Sequence, residues 1–93
     1  MFILMSIHHP HPDHRDSLIA SMHRYGAAIA GREGLVSIHT LADEDSDRLV
    51  GLAIFESRAD YERLAPVARA DVADDPFAEW EEGPIDGLRL SPA

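Results

Sequence analysis

The chain has 93 residues, no cysteine and a formal net charge of −9, from 17 acidic and 8 basic side chains. This length fits one domain, residues 1–93. The absence of thiols excludes disulfides and thiolate metal sites and favours a cytoplasmic location. An acidic chain without a basic patch is repelled by phosphate backbones, so no nucleic-acid partner is expected. No apolar run approaches the roughly 18 residues of a membrane span, so no membrane association is expected either.

The first two predicted elements are a strand and a helix. Residues 2–9 carry apolar side chains on both alternating faces, which is typical of a strand covered on two sides, and two prolines end it. Asp13 or Asp16 is expected to cap the following helix, which should end near Gly31. An apolar stripe at helical spacing is formed by Leu18, Met22, Tyr25 and Ile29.

An antiparallel hairpin is predicted next. Residues 35–41 alternate as a strand, residues 43–47 form an acidic turn, and residues 48–55 are mostly apolar. A connection of this length favours a hairpin between neighbouring strands. Because neither face of residues 48–55 is polar, both faces of the sheet are expected to be covered.

A second helix follows, capped by Ser57. Pro66 lies opposite its apolar face and is expected to kink or interrupt it. The apolar face consists of Tyr61, Leu64, Ala65, Ala68 and Val72. A short turn carrying Phe77 and Trp80 then precedes a last strand at residues 85–90. The acidic side chains Glu79, Glu81 and Glu82 are expected to form a solvated face.

This order of elements, β-α-β-β-α-β, predicts a ferredoxin-like α+β fold. Right-handed crossovers place the strands of a four-stranded antiparallel sheet in the order 4-1-3-2, with both helices on one face. The other face of the sheet is then apolar and uncovered. A second copy of the chain is the simplest cover, so we expect a homodimer built as a dimeric α/β-barrel.

A histidine-rich segment follows the first strand. His9-Pro10-His11-Pro12-Asp13-His14 matches H-x-H-x-D-H, the metal-binding signature of the metallo-β-lactamase superfamily. That superfamily takes further ligands from later loops of a much larger fold, for which this chain is too short. Two alternatives are left: a divalent-metal site formed by His9, His11, Asp13 and His14, or a solvated loop, which we favour.

Residues 33–65 resemble the antibiotic biosynthesis monooxygenase-like family of small dimeric α+β barrels. In this chain, Glu33-Gly34 leads into the second strand, residues 43–47 form the acidic turn, and residues 55–60 open the second helix. The family includes cofactor-independent monooxygenases of aromatic polyketides and haem-degrading enzymes. Phe55 stands where the family usually has tryptophan, and residues 61–82 lack the histidine that would hold haem. The resemblance therefore implies no cofactor.

Such a fold keeps a cavity between sheet and helices that suits a small aromatic or polyketide-like molecule. Phe55, Phe77 and Trp80 are the candidates to line it. If the chain is a monooxygenase, its general base is expected to be His39 or His8, with Tyr25 or Tyr61 as hydrogen-bond donor. The alternative is a dimer without catalysis that binds a small ligand or serves as an accessory protein.

Overall fold

The computed structural model describes residues 1–93 and has the predicted order of elements. Its strands are β1 (Phe2–His8), β2 (Leu35–Ala42), β3 (Leu49–Phe55) and β4 (Asp86–Leu90). Its helices are α1 (Arg15–Ile29), α2 (Arg58–Asp71) and the short α3 (Phe77–Trp80). One 3-10 turn, Pro12–His14, leads into α1.

The four strands form one antiparallel sheet in the order β2-β3-β1-β4. This is the predicted 4-1-3-2 order, and both long helices pack on the same side of it. The ferredoxin-like fold expected from the sequence is therefore confirmed. The hairpin of β2 and β3 is confirmed as well, with a register irregularity between Leu35 and Ser37.

Strand alternation gives the sheet two different faces. Phe2 and His8 of β1, and their partners Phe55 and Leu49 of β3, are buried under the helices. Ile3, Met5 and Ile7 alternate with these residues and project from the other side, which no element of the chain covers. We call this side the open face; its apolar residues are Ile3, Met5, Ile7, Val50, Leu52, Ile54, Leu88 and Leu90.

The core lies between the helix-covered face and α1 and α2. Tyr61 stacks on Phe2 with ring centroids 4.7 Å apart and meets the Phe55 ring edge to face at 5.6 Å. Aromatic pairs of this geometry add about 0.5–1.5 kcal/mol to the effect of burial. Phe55 has no solvent exposure and is enclosed by this cluster. The prediction that Phe55 lines a ligand cavity is therefore wrong, because its ring packs in the hydrophobic core.

The start of α1 differs from the prediction. The residue at its N-cap is His14, and no side chain caps the helix, so neither Asp13 nor Asp16 has that role. The preceding 3-10 turn, in which the His14 amide donates to the His11 carbonyl at 3.0 Å, brings the chain into the helix instead.

The second helix is capped as predicted but is not broken. Ser57 Oγ accepts a hydrogen bond from the Asp60 amide at 3.2 Å. Pro66 lies inside a continuous α2, so the expected interruption is wrong. The proline ring is exposed, and the carbonyl it leaves without a donor, that of Glu62, belongs to an exposed residue that water can reach.

Candidate active-site cavity

A cavity of about 310 Å³ lies between the helix-covered face of the sheet and the helices. Its lining is mainly apolar and includes no aspartate or glutamate, although the chain has 17 of them. The sheet contributes Leu4, Ser6, His8, Ile38, His39, Thr40, Gly51, Leu52 and Ala53. The helices contribute Tyr25, Tyr61, Arg69 and Phe77, and Val72 lies directly after α2. Apolar walls with few polar groups are typical of a site for a small organic molecule.

His8 is held in this cavity by a buried carboxylate. Its Nδ1 atom lies 3.1 Å from Glu81 Oε2, and the two side chains are only 9% and 4% exposed. The other carboxylate oxygen of Glu81 accepts a hydrogen bond from the His9 amide at 3.1 Å. The predicted solvated position of Glu81 is wrong, because a bridge between Pro10 and Glu81 draws the chain after α3 against the end of β1.

The partners of His8 define which ring nitrogen carries the proton. A carboxylate only accepts hydrogen bonds, so Nδ1 donates to Glu81, and Nε2 of the neutral ring is an acceptor. Nε2 lies 3.0 Å from Ser6 Oγ, which therefore donates to it. Glu81, His8 and Ser6 thus form one hydrogen-bonded chain whose hydroxyl end lies in the cavity lining. This chain can carry a proton from the cavity to the imidazole.

Sequence reasoning selected His8 but neither of its partners. A signal for Ser6 exists, since it is a polar residue two positions before His8 on a strand and therefore shares its face. Glu81 has no comparable signal, because 73 positions separate it from His8 in the chain.

The two predicted tyrosines both line the cavity, from α1 and α2. Burial raises the pKa of Tyr25 above its usual value, while the nearby Arg69 opposes this shift. The Tyr25 hydroxyl therefore stays protonated at neutral pH and can donate to a ligand oxygen. Most of the Tyr61 ring belongs to the aromatic core, and the residue is 8% exposed.

His39 does not join the His8 chain. In the hairpin it pairs with Leu52, and alternation places both side chains on the open face even though their strands border the cavity. His39 is among the residues that line the cavity, but its side chain is exposed and does not contact His8, so its role as base stays a prediction. Phe77 lines the cavity, whereas Trp80 supports the Phe77 ring edge to face at 5.9 Å and is not part of the lining.

The histidine-rich loop does not bring its side chains to one point. His9 Nε2 lies 3.4 Å from Asp86, and His11 Nδ1 lies 3.3 Å from Glu82. The rings of His11 and His14 are 6.4 Å apart. No group of three or more histidine, aspartate or glutamate side chains is placed to hold a metal ion. The predicted alternative ligand set of His9, His11, Asp13 and His14 therefore does not assemble.

Comparison with known proteins finds no matching family model and no matching curated protein. Solved structures match over nearly the whole chain. Rv0793 from Mycobacterium tuberculosis is 21% identical with a TM-score of 0.83, over 99% of this chain and 94% of that one. A candidate antibiotic biosynthesis monooxygenase from Nitrosomonas europaea is 16% identical with a TM-score of 0.75, over 99% and 98% of the two chains.

A second candidate antibiotic biosynthesis monooxygenase, from Deinococcus radiodurans, is 11% identical with a TM-score of 0.80, over 100% of this chain and 93% of that one. Identities this low show a common fold and not a common reaction. No helix in the chain is both long enough and apolar enough to cross a membrane. The resemblance drawn from the sequence is confirmed at the level of architecture: the chain has the α+β fold of the antibiotic biosynthesis monooxygenase-like proteins.

Proposed function

We propose that the chain belongs to the antibiotic biosynthesis monooxygenase-like family and is a cofactor-independent monooxygenase of a small aromatic substrate. The observation that carries this proposal is a largely apolar cavity lined by His8, whose imidazole is oriented by the buried Glu81. The names of the structural neighbours support the same reaction class.

The cavity dimensions restrict the substrate. A volume of about 310 Å³ lies at the lower end of the range for ligand sites, which favours one or two fused rings over a large polyketide. Leu4, Val72 and Phe77 supply apolar contact, and the Tyr25 hydroxyl supplies a donor for a ring oxygen. A flat phenol with an activated CH₂ group fits this combination.

The proposed reaction begins with removal of a proton from that CH₂ group. Ser6 and His8 both line the cavity, and Ser6 Oγ lies 3.0 Å from His8 Nε2, so in the proposed path the proton passes through the hydroxyl to the imidazole. Glu81 holds Nδ1 and stabilises the imidazolium that forms. The Tyr25 hydroxyl donates to the substrate oxygen on which negative charge develops. General base catalysis of this kind contributes about 10²–10⁴-fold in rate.

The carbanion then reacts with dioxygen directly. One oxygen atom forms a bond to the substrate carbon to give a peroxide anion, which takes back the proton and becomes a hydroperoxide. Loss of water from the hydroperoxide leaves a ketone or quinone, so the CH₂ group supplies both hydrogens of the water. No external reductant is required, so the reaction needs no cofactor, as the family resemblance implies.

We further propose that the chain works as a homodimer. The open face carries a continuous apolar surface, and Leu88 and Leu90 on β4 are 43% and 37% exposed. Apolar patches of this kind mark an interaction surface. A second copy related by a two-fold axis offers a surface of the same chemistry.

Oxygen uptake tests the proposed reaction. The purified protein is incubated with phenols of one or two fused rings that carry an activated CH₂ group, in air and under nitrogen, and formation of the ketone or quinone is followed by absorbance. We expect product only in air, with a rate about 10²–10⁴-fold lower in His8→Ala. His23→Ala is the matched control, because His23 is an exposed histidine on α1. Tight binding of the phenols without oxygen uptake would instead support a ligand-binding protein without catalysis.

A further inference from the structure

We infer that Ser6 is a nucleophile and that the cavity hydrolyses small carboxylic esters. This activity is separate from oxygen transfer and does not depend on it. It rests on the hydrogen-bonded order of three side chains, Ser6, His8 and Glu81, and on the position of Ser6 in the lining of the cavity.

The three side chains have the arrangement of an activated serine. Ser6 Oγ donates to His8 Nε2 at 3.0 Å, and His8 Nδ1 donates to Glu81 Oε2 at 3.1 Å. Both distances are within hydrogen-bond reach, and the third group orients the base. Glu81 is itself fixed by the His9 amide at 3.1 Å. Nucleophile, base and orienting carboxylate are recognised by this geometry on unrelated folds, in any chain order.

The hydroxyl of Ser6 is turned towards space that a ligand can enter. Ser6 pairs with Gly51 on β3 and with Gly87 on β4, so glycines flank it on both sides. A Cβ atom on Gly51 would lie 2.6 Å from Ser6 Oγ, which means that the hydroxyl leans over this glycine. Thr40 is the next residue in the same row of the sheet. The Met22 methyl group would lie 3.5 Å from the same Cβ position, so a substrate carbonyl reaches Ser6 from the cavity side, with Thr40 roughly two strand spacings of about 4.8 Å away from Ser6.

The proposed reaction has two steps. Ser6 Oγ forms a bond to the ester carbonyl carbon while its proton moves to His8 Nε2; the alcohol then leaves and takes that proton. Water next attacks the acyl group on Ser6, again giving a proton to His8, and the Ser6–acyl bond breaks with return of the proton to Oγ. The net reaction is ester plus water to carboxylic acid plus alcohol. Thr40 and Tyr25 provide hydroxyl donors in the same cavity for the tetrahedral oxyanion.

The lining also indicates the class of ester. It is largely apolar and has no carboxylate to repel a product acid, and it includes the basic residue Arg69. A volume of about 310 Å³ admits a short acyl group on a small aromatic alcohol. We therefore expect aryl esters of short-chain acids to be substrates, and long-chain esters to be excluded.

A fluorophosphonate probe tests the nucleophile without any substitution. The intact wild-type chain is incubated with the probe and digested, and the labelled peptide is identified by mass spectrometry. We expect one label per chain, on Ser6, and much slower labelling of His8→Ala. A label on another residue, or no label, would overturn the inference.

Hydrolysis of p-nitrophenyl butyrate provides the second measurement. We expect Ser6→Ala to lower the rate by about 10²-fold or more and Ser37→Ala, a serine on β2, to leave it unchanged. Gly51→Ala should also abolish hydrolysis because its Cβ displaces Ser6 Oγ, whereas Gly87→Ala, with nothing within 4 Å of its Cβ, should not. Wild-type rates in Ser6→Ala would refute the nucleophile. Rates equal in air and nitrogen separate this activity from the proposed oxygenation.

Discussion

Glu81 is the residue that orients the buried His8 ring. Its two oxygens bind the His8 ring and the His9 amide, each at 3.1 Å. No buried polar side-chain atom lacks a hydrogen-bond partner. Both carboxylate oxygens therefore have hydrogen-bond donors. Replacing the carboxylate leaves one of these donors without an acceptor in a buried position, away from water.

We expect Glu81→Gln to lower both activity and stability. The amide cannot stabilise an imidazolium, so turnover should fall by about 10²-fold or more. The altered pairing of a buried polar group should cost about 1–3 kcal/mol in the free energy of unfolding, measured in urea. Glu79→Gln, on the exposed side of α3, is the control. Wild-type turnover and urea midpoint in Glu81→Gln would contradict a role for this carboxylate.

Gly34 joins the first helix and second strand at a position that only glycine suits. Its φ angle is +96°, and a Cβ atom there would lie 2.5 Å from the Asp60 carboxyl group at the start of α2. Gly31 has a similar φ of +75°, but nothing lies within 4 Å of its Cβ position. An added Cβ therefore meets backbone strain at both glycines, but it collides with another residue only at Gly34.

We expect Gly34→Ala to destabilise the chain more than Gly31→Ala. Both substitutions carry the cost of a positive φ, about 1 kcal/mol or slightly more. Only Gly34→Ala also displaces Asp60 from Ser57 and Arg63, which it contacts at 2.7 and 2.9 Å. Urea unfolding of both variants measures the difference. An equal loss of unfolding free energy in the two variants would contradict this prediction, because it would mean that Asp60 moves aside without cost.

Among the elements, α1 is tied to the segment before α3 by one carboxylate. Asp75 Oδ2 accepts hydrogen bonds from Ser21 Oγ at 2.6 Å and from Arg24 Nη2 at 2.7 Å. The Ser21 hydrogen bond, and then Arg24, lower the pKa of Asp75, while desolvation opposes them. This contact helps to position α3, whose Phe77 lines the cavity.

The lowered pKa gives this contact a defined pH dependence. A depressed folded-state pKa stabilises the fold above the unfolded value of 3.8, and that stability is lost as pH falls through the folded pKa. We expect Asp75→Asn to melt below the wild type at about pH 7 and to approach it as the pH drops well below 3.8. Thermal melts across this range measure the gap. Asp74→Asn, at the neighbouring exposed position, is the control.

For the whole molecule, the main feature is the open face of the sheet, whose apolar side chains no element of the chain covers. The helices cover one side of the sheet, and side chains such as Met5 and Leu52 on the other side remain partly exposed in the single chain. The apolar character of both sides of β1 and β3 has no explanation in the isolated chain. Pairing of two open faces removes this surface from water.

We expect light scattering to give about twice the chain mass of 10.3 kDa at micromolar concentration. Leu88→Glu places a charge on the open face at an already exposed position, so it should shift the particle to a monomer without preventing folding. Val67→Glu, an exposed residue on α2, should leave the dimer intact. A monomeric wild-type particle would contradict the proposed pairing.

The sequence alone determined the order and type of the elements. The apolar runs at residues 2–9 and 48–55, the alternation in residues 35–41, the helical stripes and the Ser57 cap are local patterns, and each depends on neighbours within a few positions. Handedness rules then restricted the sheet to one strand order. His8, Tyr25 and Tyr61 could be selected because each is a polar group on an otherwise apolar face.

Only the tertiary structure decided which side chains meet at the cavity. Glu81 reaches His8 across 73 positions, and a bridge beside Pro10 turns it inward, which no local pattern indicates. The register of the hairpin places His39 on the open face of the sheet. The ring of Phe55 is buried in the core. Local periodicity specifies which side chains are available, whereas a site depends on distances between remote segments, and those are set by packing.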